Sequence, residues 1–311
     1  MNLKNIFKIN KSRVIYLIVI FFGMYFFINL FFHNSFSFRI LNDNQIVTYI
    51  LIFLFVLLTF FFSALSYYFL SFHQLSLFKS FIFQFSSNLF NKILPSGIGA
   101  IGMNFLYLKK YKSNTSEAAA VLFVNNLLGV FVTTFIFFSI ILFNQGKYLK
   151  FIRLKLSYLL VIVAIILILF VIYKSTSLFK KLVNKFVGQF LKTLKLFTNR
   201  KRDLLLSLVS QLLISLFNSL ALFLSIKAFG VNLSYLNTFI VYTIGVLFGT
   251  FIPLPGGLGG VELGLSTMLI VFRISAEVSL SIVLLFRLFN YWIPLLLGLP
   301  AFLYTRKNKL I

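Results

Sequence analysis

Two prolines and four glycines interrupt a strongly apolar part of the chain. The run Ile252-Pro253-Leu254-Pro255-Gly256-Gly257-Leu258-Gly259-Gly260-Val261-Glu262 stands between two uncharged stretches, 235–251 and 263–272. Proline removes a backbone donor and glycine permits irregular backbone, so we expect one helix to end near Phe251 and another to begin near Leu258. Lipid cannot satisfy the free N–H and C=O groups at such a break, which must therefore lie against protein or a wet cavity. The pattern predicts two half-helices that meet at a tip inside a membrane.

A matching interruption occurs in the first half of the chain. The run Leu94-Pro95-Ser96-Gly97-Ile98-Gly99-Ala100-Ile101-Gly102 shares with 254–262 the order leucine, proline, small residue, glycine, aliphatic, glycine, small residue, aliphatic. Glu117 and Glu277 follow the two prolines at the same spacing, and each opens a long apolar helix. A carboxylate is favourable at that end of a helix. The chain is therefore predicted to contain an internal repeat.

Composition indicates a membrane protein. Of 311 residues, 60% are hydrophobic and 11% are charged, which leaves too little polar surface to cover a water-soluble fold. The net charge of +24 would suggest nucleic acid binding in a soluble protein, but here lysine and arginine bracket the apolar segments. The sequence has no cysteine, and His33 and His73 lack metal-ligand spacing. We expect no nucleic acid, no metal and no cofactor.

Apolar runs between basic residues predict two repeats, each with three transmembrane helices and one re-entrant helical hairpin. The first repeat covers about 14–143 and the second about 156–304, within a single polytopic domain over 1–311. The predicted transmembrane helices are 14–32, 46–70, 117–143, 156–173, 204–229 and 277–304, and the predicted hairpins are 81–109 and 235–272. The predicted fold class is an all-α integral membrane protein.

The number of helices in each repeat determines the relative orientation of the repeats. Three is odd, so the two repeats are predicted to be inverted, with one hairpin entering from each side of the membrane. Inverted repeats with broken helices are typical of alternating-access transporters. The distribution of basic residues predicts a multi-pass protein of the cell (inner) membrane with both termini in the cytoplasm.

The segment 174–202 is the longest polar stretch and has helical periodicity. Its lysines Lys181, Lys185, Lys192 and Lys195 fall on one face, and apolar residues that include Phe197 fall on the other. We interpret it as a basic amphipathic helix that lies on the anionic surface of the cytoplasmic leaflet. A solvated linker with ordinary positive-inside bias is the alternative.

Three ionisable residues fall near the middle of the membrane when helix rise is counted at about 1.5 Å per residue: Lys92, Glu262 and Arg287. Such residues are candidates for function because burying them is costly. Two cations and one acid leave a spare positive charge, which favours an anionic ligand such as a phosphate head group. The N–H groups after Gly97 and Gly257 would add to that site. A purely structural Glu262–Arg287 pair remains open.

Glycine and proline at the two tips are predicted to act as hinges. The residues are Pro95, Gly97, Gly99, Pro253, Pro255, Gly256, Gly257, Gly259 and Gly260. Gly245 and Gly249, like Gly256, Gly260 and Gly264, recur at every fourth position and predict faces on which helices approach closely.

The second tip and the helix after it resemble a known family. Residues 255–262, followed by Phe286-Arg287, Tyr291-Trp292 and Pro294, resemble the C-terminal signature of the flippase-like family named for the transmembrane region of lysylphosphatidylglycerol synthase. Residues 94–102 and 116–129 are similar to its N-terminal counterpart. The first half departs from the family pattern, which has aspartate and arginine residues at the positions of Ile101, Asn104 and Asn126.

The resemblance implies translocation of a lipid rather than its synthesis, because larger members carry a soluble aminoacyl-transferase domain after the membrane part and this sequence ends at Ile311. The expected function is movement of an anionic phospholipid or polyprenyl-phosphate-linked lipid between leaflets. Arg287 and Lys92 would hold the head group, and Glu262 would neutralise positive charge or gate the site. We expect no catalytic residue and no enzymatic activity. Two alternatives stay open: a membrane-embedded transferase with Glu262 as base, and a non-transporting partner of an envelope enzyme.

Overall fold

The computed structural model describes residues 45–94, 97–143, 188, 192, 195–251 and 256–310. In this part of the chain all regular structure is helical, as predicted. The predicted helices 14–32 and 156–173 lie outside it, as do Pro95, Pro253, Pro255, Lys181 and Lys185. The helices are α1 (Ile46–Leu70), α2 (Leu77–Ile93), α3 (Ile98–Lys110), α4 (Thr115–Phe143), α5 (Lys201–Ala228), α6 (Tyr235–Phe251), α7 (Gly260–Val271), α8 (Ala276–Arg287), a π-helical turn (Leu288–Trp292) and α9 (Ile293–Lys307).

Four described helical segments are long and apolar enough to cross a membrane. They are Ile46–Leu70, Thr115–Ile140, Lys201–Ala228 and Ala276–Lys307, with mean hydropathy from 1.8 to 2.6 in their most apolar windows. At about 1.5 Å per residue each exceeds the roughly 30 Å of a hydrocarbon core. These segments confirm four of the predicted transmembrane helices, and the last one runs through α8, the π-helical turn and α9.

Two pairs of shorter helices occupy the predicted hairpins. The pairs are α2 with α3 and α6 with α7, whose helices have 17, 13, 17 and 12 residues. Each helix is about 18–26 Å long, too short to cross a bilayer alone. The helix after the second break begins at Gly260 instead of near Leu258, because Gly257 and Gly259 take positive φ angles of 70° and 79°. Insertion of the hairpins from opposite sides remains a prediction.

Small residues bring α6 and α7 into close contact, as predicted. A Cβ atom on Gly245 would overlap the Leu265 side chain, and one on Gly264 would overlap Phe248 and the backbone of Gly245. Gly249 faces Val261 in the same way. In the other hairpin a Cβ on Gly99 would collide with the Phe90 carbonyl. The glycines therefore set the distance between the two arms of each hairpin.

The C-terminal ends of α1 and α3 meet the N-terminal ends of α4 and α5 at one end of the bundle. One apolar cluster there contains Leu70, Leu108, Ala118, Phe197 and Leu310. The basic residues around it are Lys109, Lys110, Lys112, Lys201, Arg202, Arg306, Lys307 and Lys309. We call this region the basic end. It is the end to which the positive-inside pattern assigns the cytoplasm.

The described part of the basic segment corrects the sequence interpretation at its C-terminal end. A single surface helix was expected through Arg202, but residues 197–199 form a turn and α5 begins at Lys201. Phe197 is 1% exposed and packs on Phe72 instead of facing lipid. Lys192 and Lys195 are exposed, as the predicted lysine face requires.

Arg200 explains why that turn docks on the bundle. Its guanidinium donates to the carbonyl oxygens of Phe69, Leu70 and Ser71 at 2.8–3.0 Å. The last carbonyls of a helix have no partner within the helix, and a cation is favourable at that end. Arg200 therefore caps α1 and fixes the start of α5 against it.

Candidate functional site

A cavity of about 420 Å³ lies between the hairpins and the long helices. Its walls come from α1 to α8 and from the π-helical turn. Nine carboxamide side chains line it: Gln84, Asn88, Asn91, Asn104, Asn125, Asn126, Gln211, Asn218 and Asn290. Lys92 and Arg287 are its cationic residues among the described lining, which holds no carboxylate. Such a polar lining is unusual, since most small-molecule pockets are largely apolar.

Arg287 and Glu262 form an ion pair beside this cavity. Arg287 ends α8 and is 2% exposed, and its Nε donates to Glu262 Oε1 at 2.6 Å. Its Nη2 donates to the carbonyl oxygen of Gly256 at 3.4 Å. Glu262 lies in the first turn of α7, and its second oxygen, Oε2, is buried without a hydrogen-bond partner among the described residues. The pair joins the second tip to the last transmembrane segment.

Lys92 lies close to this pair although it comes from the other half of the chain. It is in the last turn of α2 and is 7% exposed. Its Nζ lies 4.4 Å from the centre of the Tyr291 ring, and the Arg287 guanidinium carbon lies 4.7 Å from the same centre. Within the described residues Lys92 has no ion pair. The ring of Tyr291 therefore stabilises two neighbouring cations, of which Arg287 is paired with an acid, whereas Lys92 has no acidic partner in the described part of the chain.

The π-helical turn positions Tyr291 between the two halves of the chain. The Tyr291 hydroxyl donates to the Lys92 carbonyl oxygen at 3.4 Å, and a Cβ on Gly256 would overlap both Tyr291 and Lys92. π-helical turns occur often at functional sites. The sequence contains a signal for this π-helical turn. Pro294 offers no N–H to the carbonyl of Asn290, four residues earlier, so the α-helical hydrogen-bond pattern is interrupted at Asn290.

The structure thus brings Lys92, Glu262 and Arg287 together with the tip residue Gly256, and head-group binding by the three ionisable residues stays a prediction. It places other predicted residues elsewhere. Glu117 lies in the first turn of α4, where its carboxylate accepts from Asn114 N and lies 3.3 Å from His73 Nε2. Glu277 lies exposed in the first turn of α8. Both are helix-start carboxylates, as expected, and neither lines the cavity.

The tip glycines shape the backbone around the site. Gly97, Gly256, Gly257 and Gly259 take positive φ angles between 57° and 79°, which favour glycine. Gly97 precedes α3, and Gly260 begins α7 as a buried residue. Of these residues Gly256 lines the cavity. Gly257 and Gly259 belong to the same turn as Gly256, and Gly97 belongs to the first tip.

Sequence reasoning missed the carboxamides as a group. Gln84, Ser87, Asn88 and Asn91 recur at i, i+3, i+4 and i+7, which places them on one face of α2, and this spacing was the available signal. Asn104 and Asn126 were noted as departures from a family pattern, and both line the cavity. The remaining carboxamides come from α4, α5 and the π-helical turn, so only the packing of these elements brings them to one place.

Two comparisons relate this chain to known proteins. Residues 13–298 match the family described as the lysylphosphatidylglycerol synthase TM region. A UPF0104 membrane protein from Methanothermobacter thermautotrophicus is 32% identical over 102 residues, an alignment that covers 33% of this chain and 29% of that protein. The family match spans most of the sequence and includes both tips, Lys92, Glu262 and Arg287. The chain therefore belongs to the family of the lysylphosphatidylglycerol synthase transmembrane region, a family of membrane proteins.

Proposed function

We propose that this protein moves an anionic phospholipid or polyprenyl-phosphate-linked lipid between the leaflets of the cell membrane. The observation that carries the proposal is Lys92, a buried cation that lines the cavity and has no ion pair among the described residues. An ammonium group in apolar surroundings is costly unless an anion compensates it. A phosphate head group would supply that anion.

The surroundings of Lys92 favour phosphate as the ligand. Lys92 has three N–H donors, and the Arg287 guanidinium has five, of which Nε is used by Glu262. The acid compensates one of the two cations and leaves a net positive site. Phosphate oxygens accept several charge-assisted hydrogen bonds, which are about twice as strong as neutral ones.

The position of the cavity favours transport of a lipid over binding of a soluble anion. The surrounding helices expose large apolar side chains on their outer faces, as lipid-facing helices do. A head group could occupy the polar cavity while its acyl chains stay in lipid. The glycine contacts between α6 and α7 provide smooth surfaces along which these two arms of the hairpin could slide past each other.

The role of Glu262 bears on the transferase alternative. Its Oε1 already accepts from Arg287 at 2.6 Å, so proton abstraction by that oxygen would require the pair to separate. The ion pair supports a neutralising or gating role for Glu262, whereas a general base would have to use the second oxygen, Oε2, which has no partner among the described residues. A non-transporting partner of an enzyme would bind lipid without moving it, and reconstitution distinguishes this case.

The test uses the full chain in liposomes with an acyl-labelled anionic phospholipid, and the rate of exchange between leaflets is measured. Lys92→Met should lower that rate about tenfold, because a charge-assisted contact contributes roughly 1.5–3 kcal/mol. Lys227→Met is the control, since Lys227 is exposed near a helix end and contacts Asn232. Equal transport by the Lys92 variant and the wild type would reject the proposal.

A further inference from the structure

The carboxamides extend from the cation pair toward the basic end of the bundle. On α2 the polar face runs from Lys92 back to Gln84, a distance of about 12 Å at 1.5 Å per residue. Gln84 accepts from Ser63 on α1 at 3.2 Å, which holds that part of the wall in place. A phosphate at Lys92 and Arg287 would fill one end of the cavity. The remaining polar length needs a different explanation.

Part of this wall is already internally hydrogen-bonded. Gln84 Nε2 donates to Asn104 Oδ1, Gln211 Nε2 donates to Asn125 Oδ1, and Asn290 Nδ2 donates to Asn218 Oδ1, at 2.7–3.2 Å. These contacts link α2 to α3, α5 to α4, and the π-helical turn to α5. They orient the carboxamides before any ligand arrives. Preorganised groups of this kind lose little entropy on binding.

Three carboxamides in the wall lack such contacts. The structure shows no hydrogen bond from Asn88, Asn91 or Asn126 to another described residue, and all three line the cavity. The Oδ1 atoms of Asn88 and Asn91 are buried without a partner in the described chain. Leaving a buried polar group without a partner is unfavourable. Polar groups of a ligand would satisfy Asn88 and Asn91, and Asn126 is an exposed side chain of the same wall.

The chemistry of the wall distinguishes between kinds of head group. A carboxamide both donates and accepts, and so does a hydroxyl group, so the two are complementary. An ammonium group donates only and is best matched by carboxylates. The described lining has none, while Lys92 and Arg287 would repel a further cation. The wall therefore favours hydroxyl groups over amines.

We propose that the cavity selects a phosphate-linked head group with several hydroxyl groups over a simple phosphate and over an aminoacylated head group. The inference rests on the proposed function and names its cargo class. Lys92 and Arg287 bind the phosphate, and Asn88, Asn91 and Asn126 bind hydroxyl groups. Phosphatidylinositol and a polyprenyl phosphosugar share this chemistry and are separated by the test.

The experiment measures lipid binding to the purified full chain in nanodiscs by displacement of fluorescent phosphatidylglycerol. The competitors are phosphatidic acid, phosphatidylinositol and lysyl-phosphatidylglycerol with identical acyl chains, and a polyprenyl phosphomannose. We expect at least one of the two hydroxyl-rich lipids to bind about tenfold more tightly than phosphatidic acid, and lysyl-phosphatidylglycerol to bind most weakly. The hydroxyl-rich lipid that binds more tightly identifies which of the two lipid classes supplies the head group. Equal binding of all competitors, or tight binding of the lysyl lipid, overturns the inference.

Variants separate this inference from the proposed function. Asn91→Ala and Asn126→Ala should each remove the preference for the hydroxyl-rich lipid while leaving phosphatidic acid binding within about twofold. Asn308→Ala is the control, because Asn308 is exposed after α9. A preference that survives in both cavity variants contradicts the inference. Selective binding without movement between leaflets would reject translocation but not hydroxyl selectivity. Equal transport of every anionic lipid would reject hydroxyl selectivity but not translocation.

Discussion

Arg287 is held by Glu262, by the Gly256 carbonyl and by the ring of Tyr291, all of which lie at or near the second tip. Such a residue can be a structural ion-pair partner, a ligand-binding group or both. The three contacts leave the two roles open, because a buried ion pair alone is weak support for either stability or function. A double substitution separates them.

Arg287→Met alone should destabilise the protein by about 1–3 kcal/mol, because it leaves the half-buried Glu262 carboxylate without its partner. Adding Glu262→Gln removes that charge, so the double variant should recover the thermal stability of the wild type in detergent. Its transport of anionic lipid in liposomes should stay lost if Arg287 binds phosphate. Recovery of transport with the double variant would show that Arg287 has only a structural role.

At the scale of the helices, α1 and α5 pack along their length, with Ser66 hydrogen-bonded to Ser207, and Arg200 in the turn before α5 adds a cap on the end of α1. Arg200→Ala removes three charge-assisted hydrogen bonds to the end of α1 and should lower the free energy of unfolding by about 2 kcal/mol. Thermal unfolding in detergent measures the change. Arg202→Ala is a matched control, since Arg202 is exposed two positions later. Equal midpoints for the two variants would contradict the capping role.

The helices themselves were predictable, but their shared cavity was only partly so. Apolar length set the bounds of α1 and α4, and proline with glycine set the breaks after α2 and α6, because these signals are local. The two cations and Glu262 could be singled out because charge in an apolar run is costly anywhere. The roles of Asn125 and Gln211 could not be read from the sequence, since polar uncharged residues tolerate many environments and only packing brings these two together.

For the whole molecule, residues at the two ends of the helix bundle test the predicted orientation in the membrane. Lys110 ends α3 at the basic end, whereas Arg273 follows α7, where Phe272 packs in the same apolar cluster as Phe229 after α5. Because α5 starts at the basic end and Phe229 follows its other end, Lys110 and Arg273 lie toward opposite ends of the helix bundle. Lys110→Cys should react with an impermeant thiol reagent only from the cytoplasm, and Arg273→Cys only from outside.

The absence of cysteine from the sequence makes this labelling free of background. Sealed spheroplasts compared with inverted vesicles give the two sides. Reaction of both variants from one side would contradict the inverted arrangement of the repeats. Reaction of each from the side opposite to expectation would keep the inversion and reverse the orientation in the membrane.

If the proposed function holds, the ring shared by Lys92 and Arg287 has an energetic consequence for the transport cycle. Whenever the second tip approaches the end of α2, two like charges come together, and a single carboxylate offsets only one of them. An empty protein would therefore resist this compact arrangement, and a bound phosphate would remove the resistance. On the proposed function, the cargo supplies the missing counter-charge, so repulsion between Lys92 and Arg287 would disfavour turnover without cargo.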